Sequence, residues 1–156
     1  MSTGYASMQV SLEITTATYR ITSYDPTAVT IAYPAQTDKA GQDDSGLYLA
    51  QSRLEHETMT SSFVIMPDKL LRHWAPATFD SLQQAHFATL LDYEPEIVLL
   101  GSGPRLRRPE AALLAPLINR GIGVEIMDIG ATCRTYNILM ADDRYVAAAL
   151  LIGTDS

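Results

Sequence analysis

The last third of the chain alternates apolar runs with helical patterns, and this alternation restricts the possible folds more than any other feature. Three short aliphatic runs occupy Ile97–Leu100, Val124–Met127 and Tyr145–Ile152. The order strand, helix, strand, helix, strand is typical of an α/β fold. We therefore expect a βαβαβ core over residues 96–152, with the wholly apolar last strand in the centre of the sheet. Right-handed crossovers then predict that both helices lie on one face.

The two helices of this unit have recognisable ends. Pro109 suits the first position of a helix and Gly121 suits the C-terminal cap. Leucine and isoleucine at helical spacing predict the buried face, at Leu113, Leu114, Leu117 and Ile118. The second helix is expected over Thr132–Asp142.

The first half of the chain is rich in strand patterns. A β-hairpin is expected from Thr18–Tyr24 and Ala28–Tyr33, because Asp25-Pro26-Thr27 is a turn sequence between them. Val29, Ile31 and Tyr33 share one face of that hairpin. The remaining expectations are an edge strand at 10–14, strands at Leu47–Ala50 and Thr58–Met66, a turn or short helix at Lys69–Trp74, and a helix from Thr78 to Leu90.

We expect a layered α/β fold with a mixed β-sheet, the βαβαβ unit flanked by helices, and an N-terminal β-hairpin portion. The 156 residues favour a single domain over 1–156. Residues 1–8 are small and polar and are expected to be a loose N-terminus, and residues 34–46 are expected to form an exposed loop.

Charge and cysteine content exclude several classes of function. The formal net charge of −7 argues against broad affinity for nucleic acid or anionic lipid. No apolar run is long enough for a membrane span. Cys133 is the single cysteine, and no Cys/His group has zinc spacing, so no metal and no cofactor are expected. These features and the absence of a secretory or transit pattern favour the cytoplasm.

The loops after the first two strands of the core are the best candidates for a site. If those strands are parallel, both loops emerge at the same sheet edge, where ligands bind in open α/β sheets. Glycines, two helix starts and a local cluster of Arg105, Arg107 and Arg108 suit a carboxylate, a phosphate or an acidic group of a partner. The predicted binding residues are Gly101, Ser102, Gly103, Arg105, Gly130, Arg134, Tyr136 and Asn137.

The first loop lacks the known nucleotide-binding motifs. A dinucleotide fingerprint needs a third glycine, and that position holds Leu106. A P-loop needs Gly-Lys-Ser/Thr, which does not follow. The alternative also stays open that the glycines only form a tight turn and that the arginines are solvated.

Two residues of the second loop are candidates for catalysis. Cys133 is expected near a helix N-terminus and beside Arg134, and both features lower a thiol pKa. A nucleophilic thiol also needs a base, and none of the three histidines lies in either loop. A small buried cysteine is the alternative. Asp128 can cap the helix, pair with Arg134 or act as an acid or base.

The segments Leu99-Leu-Gly-Ser-Gly-Pro-Arg105 and Gly123-Val-Glu-Ile-Met-Asp-Ile-Gly-Ala-Thr-Cys-Arg-Thr-Tyr-Asn137 resemble a family of small uncharacterised α/β proteins. This family is a bacterial and archaeal domain of unknown function, and its mitochondrial relative is the NADH dehydrogenase (complex I) assembly factor 3. The resemblance implies a layered α/β fold and no established catalytic activity. The recurrent family positions correspond to Gly101, Gly103, Arg105, Asp128, Gly130, Cys133, Arg134, Tyr136 and Asn137. Ile129 replaces a hydroxyl residue that is common in the family.

These observations predict an uncharacterised protein of the binding or assembly type, with a small cleft at 101–108 and 128–137 for an anionic ligand or a protein partner. The alternative is a small enzyme that acts on an anionic metabolite through Cys133 or Asp128. The sequence places no constraint on the oligomeric state.

Overall fold

The computed structural model describes residues 18–35 and 53–153. The strands predicted at 10–14 and Leu47–Ala50 lie outside these ranges. So do the loose terminus expected at 1–8 and nearly all of the exposed loop expected at 34–46.

Within residues 18–35 and 53–153, eight strands form two sheets. The small antiparallel sheet has the order β1-β2-β3, and the main sheet has the order β5-β4-β8-β6-β7. Their bounds are β1 Arg20–Asp25, β2 Ala28–Pro34, β3 Leu54–Met59, β4 Phe63–Met66, β5 Lys69–Leu71, β6 Ile97–Gly101, β7 Gly123–Met127 and β8 Val146–Leu150.

The predicted hairpin is β1 and β2. One Asp25 carboxylate oxygen accepts hydrogen bonds from the Thr27 amide at 2.7 Å and from the Thr27 hydroxyl at 2.8 Å, which fixes the turn as expected. Val29 and Ile31 are fully buried, and Tyr33 packs against the same cluster. The hairpin prediction is confirmed.

The strand predicted at Thr58–Met66 is wrong, because the segment is divided between the two sheets. Its first residues complete β3, and Phe63–Met66 form β4. The chain leaves the small sheet at Thr60 and enters the main sheet after Ser62. The turn or helix predicted at Lys69–Trp74 is also wrong, since Lys69–Leu71 pairs with β4 as an antiparallel strand.

In the described part of the chain, the helical patterns correspond to three α-helices and three 3-10 segments. The α-helices are α1 Gln84–Ala88, α2 Ala115–Ile118 and α3 Ile129–Ala141. The 3-10 segments are Phe79–Ser81, Thr89–Tyr93 and Ala111–Leu114.

The βαβαβ unit is present, but its two helices lie on opposite faces of the main sheet. Leu117 of α2 packs with Val98 and Leu100, whereas Tyr136 of α3 packs with Leu99 and the β1–β3 sheet. The prediction of one shared face is wrong because the two crossovers, from β6 to β7 and from β7 to β8, move in opposite directions across the sheet. Strand β7 lies on one side of β6 and β8 on the other, so two right-handed crossovers must use both faces.

Strand β8 has the predicted central position. It runs parallel to β6 and antiparallel to β4, and all five of its residues are buried. The resulting layers are the small sheet, helix α3, the main sheet, and the remaining short helices. This is the expected mixed α/β architecture.

The helix predicted from Thr78 to Leu90 is interrupted. Thr78 caps only a 3-10 turn, and Gln83 has extended backbone angles, φ −134° and ψ 160°. Its amide donates to Nδ1 of His86 at 2.9 Å, which starts α1 at Gln84. Phe87 is the fully buried residue of α1.

The ends of the core helices also differ from prediction. Pro109 precedes helical structure, which starts at Ala111, and Pro116 is the proline in the first turn of α2. Ile118, predicted to be buried, is 54% exposed. Gly121 has φ +78° at the end of the helix, as its sequence position predicts.

Candidate functional site

The two predicted loops meet at the carboxyl edge of the main sheet. Strands β6 and β7 are parallel, so their ends lie side by side. The Ser102 amide donates to the Met127 carbonyl at 2.8 Å, and the Ile129 amide donates to the Gly103 carbonyl at 2.9 Å. These bonds join the backbones where the chain diverges to the two faces of the sheet.

Ser102 organises the first loop from inside. Its buried hydroxyl donates to the Arg105 carbonyl at 2.8 Å and accepts from the Arg107 amide at 2.9 Å. It also lies 3.2 Å from the Met127 carbonyl. The hydroxyl is therefore engaged by the backbone of its own loop.

The two glycines of this loop have different physical roles. A Cβ at Gly101 would lie 3.1 Å from Oγ1 of Thr132 and 3.3 Å from the Leu150 side chain. The missing side chain thus allows α3 to pack closely against β6. Gly103 has φ +118°, a conformation that L side chains rarely adopt, and it presents the carbonyl that accepts from Ile129.

A small, shallow hollow with a cavity volume of about 20 Å³, partly open to solvent, lies beside this loop. The segment Ala77–Phe79, the loop residues Ser102–Arg105, Arg107, and the chain just after β8 line it. The Arg105 side chain is exposed and has no hydrogen-bond or ion-pair partner among residues 18–35 and 53–153.

The neighbouring Arg107 side chain is half-buried and is held against the protein surface by two contacts. Its guanidinium carbon lies 4.2 Å from the centre of the Phe79 ring, and Nη2 donates to the Asp80 carboxylate at 3.0 Å. Stacking and ion pairing restrain this side chain. Arg108 is exposed, and within the part of the chain that the structure describes it makes no ion pair.

The second loop begins with a helix cap. The Asp128 carboxylate accepts from the Ala131 amide at 2.8 Å, and the Thr132 hydroxyl donates to the Asp128 carbonyl at 2.7 Å. Of the three roles considered for Asp128, the structure shows the cap. Helix α3 therefore starts three residues earlier than the predicted Thr132.

Cys133 lies in the second turn of α3 and not at its N-terminus. Its side chain is 1% exposed and packs in the core between the two sheets. Burial raises the pKa of the Cys133 thiol to about 12, and the nearby positive charge of Arg134 only partly offsets this. The expectation of a lowered thiol pKa is wrong, and the alternative of a small buried cysteine describes the residue.

Tyr136 and Asn137 fasten α3 to β1. The buried Tyr136 hydroxyl donates to the Tyr19 carbonyl at 2.7 Å. The Asn137 amide nitrogen donates to the Ile21 carbonyl at 2.7 Å, and its oxygen accepts from the Ile21 amide at 3.0 Å. This side chain thus pairs with the outer edge of β1 much as a neighbouring strand would. Burial raises the pKa of the Tyr136 phenol above its ordinary value.

Arg134 contacts the same strand. Its Nη1 donates to the Tyr24 hydroxyl at 2.6 Å, and Nη1 lies close to Gly130. A Cβ at Gly130 would be 3.1 Å from the Tyr24 ring, so glycine makes room for this contact. The proposed pairing of Arg134 with Asp128 does not occur.

The two predicted loops therefore adjoin at their first residues, but their later side chains lie in different places. The backbones of 101–103 and 127–129 meet, but Arg105 lines the hollow while the side chains of 133–137 turn toward the core or β1. Sequence reasoning missed the contributions of Phe79 and Asp80. An acidic and an aromatic residue 27 and 28 positions before an arginine give no local signal of contact.

Metal ligands are not grouped in this protein as far as the structure describes it: residues 18–35 and 53–153 contain no cluster of three or more His, Cys, Asp or Glu side chains suited to a metal ion. In the same ranges, none of the helices has the length and apolar character that crossing a membrane requires.

Comparison with known proteins follows the same segments. Residues 47–151 match the model of a family described as "Protein of unknown function (DUF498/DUF598)". The chain belongs to this family. The match includes both loops, the interrupted helix and strands β3 to β8.

Curated relatives of this DUF498/DUF598 protein include complex I assembly factors. It is 33% identical over 95 residues to the NADH dehydrogenase [ubiquinone] 1 alpha subcomplex assembly factor 3 of Danio rerio, covering 60% of this chain and 55% of the relative. The Homo sapiens protein of the same name is 33% identical over 94 residues, with coverage of 56% and 51%. The chain thus spans about half the length of these relatives.

A solved structure with the same fold is the NMR structure of Xanthomonas campestris XCC1710. It has a TM-score of 0.67 and 30% sequence identity, and the alignment covers 89% of this chain and 88% of that one. The family resemblance and the mixed α/β fold expected from sequence are both confirmed.

Proposed function

We propose that this protein is a non-catalytic binding protein of the assembly type. It contacts an acidic group of a protein partner through the loop 101–108, and Arg105 is the principal donor. The observation that carries the proposal is the contrast between Arg105, exposed and unpaired in the hollow, and Arg107, which is held by Phe79 and Asp80.

The geometry gives the loop two properties that suit recognition. Ser102 and the bonds to Met127 and Ile129 fix its backbone, so little ordering is needed on binding. Arg105 can then offer a planar pair of N–H donors to a carboxylate from a defined position.

The segment 128–137 is proposed to support this surface from behind. Asp128 caps α3, and Tyr136 and Asn137 attach the helix to β1. The relatives named as assembly factors favour a protein partner over a small anion.

Catalysis by Cys133 or Asp128 has less support. A thiol that is 1% exposed with a pKa of about 12 is a poor nucleophile near neutral pH. The Asp128 carboxylate is bound to the start of its own helix.

Quantitative co-purification from native lysate tests the proposal with three variants: Arg105→Ala, Arg105→Glu and the matched control Arg120→Ala. Arg120 is also an exposed arginine but lies in the turn before β7, at the opposite end of the sheet. The amount of a co-purified partner should fall about tenfold or more with both Arg105 variants, since a charge-assisted hydrogen bond contributes about 1.5–3 kcal/mol. It should remain with Arg120→Ala.

The same partner should bind more weakly as salt rises from low to physiological ionic strength. A partner set that is identical for wild type and Arg105→Glu would refute the proposal. Titration of wild type with inorganic phosphate and with a glutamate-rich peptide separates a small anion from an acidic protein segment.

A further inference from the structure

The outer edge of β7 carries main-chain groups that the sheet leaves unused. Strand β7 is the last strand of the main sheet, and among the described strands only β6 pairs with it. In a parallel ladder, both main-chain groups of one residue point to the same neighbour, and those of the next residue point the opposite way. The Met127 carbonyl accepts from Ser102 on the β6 side. Val124 and Ile126 therefore present their N–H and C=O groups outward.

The side chains around this edge have a defined pattern. Val124 and Ile126 are half-buried and pack with the helices on the α2 face. Glu125 lies on the opposite face, is exposed, and is in none of the ion pairs found in the described ranges. An incoming strand thus meets an acidic position between two apolar ones.

The outer edge of β1, by contrast, is occupied by a side chain at Ile21. The Asn137 side chain occupies the main-chain groups of Ile21 on the outer side of β1. Unpaired edges of apolar strands are sites of strand addition unless they are covered or protected by charge. In β7, Glu125 is the one charged residue that can protect the edge from strand addition.

Charge decides between a second copy and a different chain. An antiparallel pair of two β7 strands with full overlap places Glu125 opposite Glu125, and like charges directly opposite are destabilising. Each copy also has a net charge of −7. A strand with a basic residue opposite Glu125 has the complementary charge.

We propose that the β7 edge binds an extended segment of a partner protein, with the alternating pattern apolar–basic–apolar, as an added strand. The partner's main chain bonds Val124 and Ile126, its Lys or Arg pairs with Glu125, and its flanking apolar side chains extend the α2 face. This mode of recognition takes affinity from the main chain and specificity from alternate side chains. It goes beyond the role of Arg105 and does not depend on it.

The test uses the full chain labelled with ¹⁵N and two blocked peptides, Thr-Val-Lys-Val-Thr and Thr-Val-Glu-Val-Thr. The Lys peptide should shift the Val124 and Ile126 amide signals and slow their hydrogen exchange. It should bind about three- to tenfold more tightly than the Glu peptide, given typical cross-strand charge energies. The variant Glu125→Lys should reverse that preference.

Two further variants make the outcome specific. Ile126→Pro removes an outward donor, which an edge strand tolerates, and should abolish peptide binding while the amides of β8 keep their protection. Arg105→Ala should leave peptide binding unchanged, so failure of the proposed loop function stays distinguishable.

Three results would overturn the inference. One is no perturbation of Val124 or Ile126 by either peptide, and another is an unchanged preference in Glu125→Lys. The third is a dimer, detected by analytical ultracentrifugation, whose formation protects the same two amides, because a second copy would then be the occupant.

Discussion

The two halves of the predicted site, 101–108 and 128–137, use their side chains in different ways. In the loop 101–108 the backbone is satisfied internally and Arg105 is left exposed at the hollow. In the segment 128–137 the side chains themselves are used, by the helix cap, the core and the β1 edge. Polar residues in a loop next to a sheet edge can therefore either face a ligand or hold the fold, and the choice depends on what packs beside them.

The largest effect is expected at Tyr136, which tests whether the segment 128–137 is structural. Tyr136→Ala should lower the free energy of unfolding by about 3–5 kcal/mol, because it opens a cavity and leaves the Tyr19 carbonyl without its donor. Tyr136→Phe should lose only about 1–2 kcal/mol. Urea unfolding measures both. A near-neutral Tyr136→Ala would mean that the 128–137 half is not structural.

Asn137 gives the next largest effect. Asn137→Ala leaves the amide and carbonyl of Ile21 unpaired, so we expect a loss of about 2–3 kcal/mol and faster hydrogen exchange of the Ile21 amide. The control Ile138→Ala changes a neighbouring residue that is 67% exposed and should stay within about 0.5 kcal/mol. Equal losses in the two variants would contradict the role of Asn137 at the β1 edge.

Cys133 adds a pH dependence to the same half. Its thiol pKa is about 12 when folded and about 8.5 when unfolded, so the native state favours the protonated thiol. This contribution is complete below about pH 8.5 and is lost as the pH rises toward 12. At pH 10 the loss should be about 2 kcal/mol relative to pH 8.

Urea unfolding at pH 8 and pH 10 checks this expectation, with Cys133→Ala as the control. Tyrosines also titrate in this range, and the variant keeps them. The difference between the two proteins therefore isolates the thiol. A wild type and a variant with the same pH dependence would show that the native thiol ionises normally.

Arg105 should have the smallest effect on stability. Arg105→Ala changes an exposed side chain without an internal partner. The free energy of unfolding, measured with urea, should therefore change by no more than about 0.5 kcal/mol. Arg107→Ala, which removes the contacts to Phe79 and Asp80, should cost somewhat more, up to about 1 kcal/mol. A larger loss in Arg105→Ala would assign the loop arginine to the fold.

The sequence was sufficient for the features that depend on local pattern. The hairpin turn at Asp25, the apolar strand β8 and the glycine that ends α2 follow from turn chemistry, hydrophobic runs and capping. The parallel pairing of β6 and β7 also follows from their alternation with helices.

The features that failed depend on distant partners. The face of each crossover helix is set by the order β8-β6-β7, which no local pattern specifies. The fate of Asn137 depends on Ile21, 116 residues earlier, and that of Cys133 on the small sheet that covers it. Polar residue types at a helix start are thus compatible with both binding and packing.

The most direct test is the dissociation constant of the recovered partner for Arg105→Ala and Asn137→Ala, measured side by side at a temperature where both are folded. We predict at least a tenfold weakening with Arg105→Ala and wild-type affinity with Asn137→Ala, because only Arg105 lies in the proposed binding surface. Wild-type affinity in Arg105→Ala together with lost binding in Asn137→Ala would contradict the assignment of the two halves.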